Sequence, residues 1–92
     1  MIVGFRHKGL ERLFEEDDAR GLPPDMVDKI RTILAQLSEA RTIEDMRMIS
    51  FRLHPLKGDM SGLWSVTVRA NWRVVFRFVD GDADAVDLID YH

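Results

Sequence analysis

The sequence predicts an α+β fold: two layers, with an N-terminal strand and two helices packed on an antiparallel sheet. Three observations carry that expectation. Apolar residues in the first half recur at three- and four-residue steps, the period of a helix with one buried face. From residue 51 the period changes to two, as in half-buried strands. Turn signals at Gly58-Asp59, Ala70-Asn71 and Asp80-Gly81-Asp82 then divide the second half into short strands with tight returns. Helices followed by a run of strands give a helical layer on one face of a sheet.

The elements follow in order. Ile2 to Phe5 is a short apolar run that reads as a strand. The first helix is expected over Lys8 to Glu16, with Leu10, Leu13 and Phe14 forming a buried stripe. The acidic run Glu15-Glu16-Asp17-Asp18 opposes the negative end of the helix dipole, so the helix stops there. His7 reads as a solvated loop residue. In the second helix Pro24 suits the first turn, and Asp25 and Asp28 favour its positive end. Val27, Ile30, Leu34 and Leu37 then repeat through about residue 40. Thr42-Ile43-Glu44-Asp45 looks like a capping box opening a brief helical turn, with Met46, Met48 and Ile49 as core filler beneath it.

Leu63 to Arg69 and Trp72 to Val79 form a hairpin. Matching the apolar faces sets Val68 against Trp72 and Val66 against Val74, with Arg69-Ala70-Asn71 as the loop. Thr67 then faces Arg73 on the polar side. Ala83 to Tyr91 closes a three-stranded meander. The helices are expected to cover the face carrying Trp72, Val74, Phe76 and Phe78. Trp64 and Trp72, alternating with valines, read as core packing rather than base stacking.

At 92 residues the chain suits a single domain over its whole length. No apolar run approaches the length of a membrane span, and Met-Ile-Val-Gly-Phe-Arg does not read as a signal peptide. Cysteine is absent, so no disulfide framework is expected and a cytoplasmic setting fits. The net charge is −3, but it is segregated. Residues 47–77 carry Arg47, Arg52, Lys57, Arg69, Arg73 and Arg77 against Asp59 alone, a balance of +5. Residues 78–92 carry five aspartates. A basic cleft on an acidic body would give this distribution, as would arginines that merely solvate a sheet face.

RNA can be cut without a metal if a base takes the proton of a 2′-OH, an acid protonates the departing 5′ oxygen, and cations stabilise the phosphorus oxygens. His54, Asp90, Tyr91 and His92 are the candidates for proton transfer. Lys57, Arg69 and Arg73 are the candidates for phosphate, and Asn71 at a loop tip could contact a base. Each also has an ordinary explanation. His54 before Pro55 fits a half-buried strand residue, and Asp90 fits one solvating acid among five. Tyr91 fits an aromatic at the edge of the core, and His92 a frayed terminus. No cofactor is expected. No metal site is expected either, because the histidines lack ligand spacing and no compact His/Asp/Glu trio exists.

Five segments together resemble a known family: Phe5-Arg6-His7-Lys8-Gly9-Leu10, Leu53 to Asp59, Leu63 to Arg73, Asp80-Gly81-Asp82-Ala83 and the terminal Asp90-Tyr91-His92. The chain resembles the HigB toxins of the RelE-like superfamily of bacterial toxin–antitoxin systems. That resemblance implies a RelE-like fold and a cytoplasmic, ribosome-dependent mRNA interferase that cuts mRNA in the decoding site. It also implies a HigA-type antitoxin with a helix-turn-helix fold, through which alone the toxin reaches operator DNA. By position, His54, Asp90, Tyr91 and His92 match the family's catalytic group. Lys57 and Arg73 match its phosphate contacts and Asn71 a nucleotide contact, while Arg69 joins them from charge and placement. Val86-Asp87-Leu88-Ile89 and Met60 depart from the family pattern. The alternative is a regulator of the same fold that binds RNA or antitoxin without cutting.

Overall fold

The computed structural model describes residues 1–91. Helix α1 (Lys8–Glu16) begins at His7, whose Nδ1 accepts the Leu10 N–H at 3.2 Å. His7 is therefore a helix cap rather than a loop residue without a task, and it satisfies one of the helix's orphan donors. The helix ends within the acidic run, after Glu16. Asp17 adopts the left-handed region (φ 55), and the N–H groups of Asp17 and Asp18 return to the carbonyls of Leu13 and Arg12. Leu10 and Leu13 are buried, but Phe14 is 40% exposed and leans on Phe5, their rings 5.8 Å apart. At Gly9 a Cβ would lie 2.9 Å from the Gly21 carbonyl, so glycine lets α1 approach the connector closely.

A 3-10 turn at Pro24–Met26 leads into α2 (Val27–Glu39), which buries Ile30, Ile33, Leu34 and Leu37. The next turn, Ile43–Met46, is held by Asp45. Its carboxylate accepts the N–H groups of Arg41 (2.8 Å) and Thr42 (3.2 Å), and these bonds hold the carboxyl below its ordinary range. A depressed folded pKa contributes stability that is present above the unfolded value and is lost as pH falls through the folded one. Asp45→Ala should therefore melt a few degrees below the wild type at neutral pH, with the gap closing in acid. Thermal unfolding of both proteins across that range checks it. An equal gap in acid would show that the carboxylate is not the cause.

The core-filler expectation fails beyond Met46. Met46 is fully buried, whereas Met48 is 41% exposed and Ile49 98%. The short 3-10 turn Ile49–Phe51 turns Phe51 alone into the core and leaves Ile49 pointing outward.

The sheet has four antiparallel strands in sequential order: β1 (His54–Pro55), β2 (Trp64–Arg69), β3 (Trp72–Val79) and β4 (Asp82–Asp90). β1 is additional to the expected meander. Proline pushes the residue before it out of the helical region, which sets His54 in extended conformation beside Ser65. The β2–β3 register keeps Val66 opposite Val74 and Thr67 opposite Arg73, but Arg69, not Val68, lies opposite Trp72. A bulge between Thr67 and Arg69 absorbs the extra residue, and Ala70 in the left-handed region (φ 48) closes the turn with Asn71 alone. The second hairpin turns on Asp80 and Gly81, both left-handed (φ 51 and 82), the geometry favoured between twisted strands.

The N-terminal segment forms isolated parallel bridges, Ile2 to Ala83 and Phe5 to Val86, rather than a regular strand. The interruption matches a bulge in β4 between those two bridges, where Ala85 is left-handed (φ 53). The helices cover one sheet face, and Leu10, Ile30, Leu34, Val66, Val74, Phe76 and Val86 join one buried cluster with Trp64, Trp72 and Phe78 packed against it. The other face is left open.

Candidate active site

Strand alternation decides which side chains meet on the open face. His54, Ser65, Val75 and Asp87 form one row across all four strands, and Thr67, Arg73 and Ile89 form the next. Leu56, Ser65 and Val75 are buried there, apart from the main core. Above this floor lies a cleft of about 230 Å³ lined by Arg52, His54, Leu56, Ser65, Thr67, Arg73 and Tyr91. A larger cavity of about 320 Å³ lies between α1 and α2, and none of the candidate residues lines it.

The β2–β3 turn supplies the fixings. Nη1 of Arg73 donates to the carbonyls of Ala70 (2.6 Å) and Trp72 (3.2 Å). The Tyr91 N–H donates to the carbonyl of Asn71 at 2.8 Å. Three successive turn carbonyls thus hold the arginine side chain and the residue that follows β4. The guanidinium carries five N–H donors in a rigid fork, and its described bonds all run through Nη1. Such a group is set to meet a phosphate from one side.

Of the sequence candidates, the structure brings His54, Arg73 and Tyr91 to one cleft. The others are placed elsewhere. Asp90 lies opposite Trp72, so alternation directs it to the helix-covered face and away from the cleft. Lys57 is exposed where the chain leaves β1 for the turn at Gly58–Met60, and it does not line the cleft. Asn71 sits at the exposed hairpin tip. Arg69 pairs with Asp25 beside the start of α2 and lines a separate pocket with Pro23 and Trp72. Simple alternation on β2 would set Arg69 beside Thr67 on the polar face, but the bulge at Thr67/Arg69 removes it from that row. His92 lies outside the described residues. Among the described residues no cluster of three or more His, Asp or Glu could hold a metal.

Sequence reasoning did not single out Arg52, Ser65 or Thr67 for chemistry. Arg52 ends the Ile49–Phe51 turn in the left-handed region, and no periodicity in the sequence signals its place in the cleft. Ser65 and Thr67 follow from alternation on β2.

Comparisons with known proteins bear on the family and the fold. A family model described as RelE-like toxin of type II toxin-antitoxin system HigB matches residues 3–92. Endoribonuclease HigB of Proteus vulgaris is 47% identical over 92 residues, covering all of both chains. Toxin HigB-1 of Vibrio cholerae serotype O1 is 31% identical over 85 residues, 90% of each. Among solved structures, a YoeB/ParE toxin from Agrobacterium tumefaciens superposes with a TM-score of 0.61 at 26% identity, covering 100% of this chain and 99% of that one. A family model matched over residues 3–92 and a relative 47% identical over the whole chain place this protein in the HigB family of RelE-like toxins of type II toxin–antitoxin systems.

Proposed function

We propose that this chain is the toxin of a type II toxin–antitoxin pair and an endoribonuclease that cuts mRNA held on the ribosome. The observation that carries the reading is the single cleft shared by His54, Arg73 and Tyr91 on the open sheet face. The relative that matches the full chain at 47% identity is named an endoribonuclease.

In this reading the 2′ oxygen of a ribose attacks the adjacent phosphorus as its proton passes to a base. The P–O5′ bond breaks, and an acid protonates the leaving oxygen. The products are a 2′,3′-cyclic phosphate and a 5′-hydroxyl, and no metal takes part. His54 is one proton-transfer group, and Tyr91 or His92 supplies the other. Arg73 stabilises charge on the non-bridging oxygens. Asn71 contacts a nucleotide and Lys57 a neighbouring phosphate from the rim. Asp90, on the other face, supports the strand end that presents Tyr91.

The partners in this reading are a HigA-type helix-turn-helix antitoxin, the ribosome with its mRNA, and operator DNA only through the antitoxin. The setting is the cytoplasm. Among the described residues no helix is long and apolar enough to cross a membrane.

Ribosome-bound mRNA should be cut far faster than naked RNA. A chain of net charge −3 has little general attraction for free RNA. A small open cleft also does little to align the reacting atoms, and misalignment costs roughly a hundredfold. Purified protein with and without ribosomes, read by mapping RNA 5′ ends, tests this. Equal rates would remove the ribosome from the mechanism. No cleavage in either case would favour a binding regulator of the same fold.

A further inference from the structure

We propose that Arg52 is a second phosphate-binding cation of the cleft, gripping the RNA backbone from the β1 side while Arg73 holds it from the β3 side. The inference rests on the endoribonuclease reading above.

Arg52 and Arg73 line the same cleft but arrive from different directions. Arg52 ends the turn Ile49–Phe51 ahead of β1, and Arg73 lies on β3. Two strand spacings separate β1 from β3, on the order of 10 Å, the span of a phosphodiester with its flanking sugars. The electrostatics agree. Arg20, Arg31, Arg47 and Arg69 are each paired with a carboxylate. Among the described residues, no ion pair neutralises Arg52 or Arg73. Two guanidiniums with no ion pair among the described residues, lining one cleft on a net-acidic chain, form a site for a polyanion.

The backbone makes the inference testable. Arg52 sits in the left-handed region (φ 49, ψ 53), where glycine rests more easily than any residue with a Cβ. If this position only turned the chain from buried Phe51 into β1, glycine would serve it better. An arginine here carries a backbone cost that glycine would avoid, so the side chain and the backbone can be tested against each other. Arg52→Gly removes the cation and relieves the backbone in one step, so stability and activity should move in opposite directions. A purely structural arginine would lose both together.

The experiment compares wild type, Arg52→Gly, Arg52→Lys and Arg52→Glu by thermal unfolding and by single-turnover cleavage of mRNA on programmed ribosomes. Arg52→Gly should melt at or above the wild type while kcat/KM falls roughly 10- to 100-fold, as expected for a lost charged hydrogen bond. Arg52→Lys should recover part of the loss, and Arg52→Glu should fall below Arg52→Gly. Wild-type cleavage by Arg52→Gly would overturn the proposal. So would a lowered melting temperature with no rescue by lysine. If wild-type protein itself fails to cut, the endoribonuclease reading fails instead, and the two failures are told apart.

Discussion

Arg73→Ala should lose about 10²- to 10³-fold in cleavage of ribosome-bound mRNA while remaining folded. Arg73 is half-buried on β3, opposite Thr67 and Ile89, and lines the cleft with His54 and Tyr91. Its Nη1 is fixed by the carbonyls of Ala70 and Trp72, so the side chain lining the cleft is already ordered. Preorganisation of this kind makes a cation more useful in the transition state than in water. Removing it exposes carbonyls at a surface turn, where water can replace the lost donors, so the fold should suffer little. Arg73→Lys should rescue only partly, because one ammonium cannot hold two carbonyls and still present a fork to a phosphate. Single-turnover rates beside melting curves provide the check. A folded Arg73→Ala protein that cuts at the wild-type rate would remove Arg73 from the chemistry.

The sequence made the layers legible because local rules and tertiary packing agree over most of the chain. The stripe from Ile30 to Leu37 and the alternation from Trp64 to Phe78 each point to one buried face, and the structure packs those two faces together. Part of the site is legible for the same reason. A residue before proline must be extended, which delivers His54 to the sheet, and alternation from Thr67 to Arg73 fixes a shared face.

What was not legible depends on single backbone irregularities or on distant partners. One bulge takes Arg69 out of the polar row, and its partner Asp25 lies 44 residues away in sequence. One left-handed residue ends a short turn at Arg52 and brings that cation to the cleft. Ile49 is apolar yet exposed, because a three-residue turn can bury only one side, and Phe51 takes it. Asp90 and Tyr91 are adjacent in sequence, and for that reason they fall on opposite faces of the sheet.

His54→Gln should reduce cleavage by about 10²- to 10⁴-fold, the usual contribution of a positioned proton-transfer group. The histidine is exposed on a two-residue edge strand, and its backbone course is set by Pro55 and by pairing with Ser65. Glutamine preserves the size and polarity of the side chain but cannot exchange a proton near neutral pH. The fold and the hold on antitoxin should therefore persist while cleavage falls. A modified substrate separates the two proton roles. When the bridging 5′ oxygen of the scissile phosphate is replaced by sulfur, the leaving group departs without an acid. If His54 is the acid, the variant should cut that substrate almost as fast as the wild type. If His54 is the base, the deficit should remain, because the 2′-OH still has to lose its proton. The acid would then have to come from Tyr91 or His92, and the same substrate should rescue the variant at whichever of the two supplies it. Undiminished cutting of ordinary mRNA by His54→Gln would mean that the imidazole lines the cleft without serving the reaction.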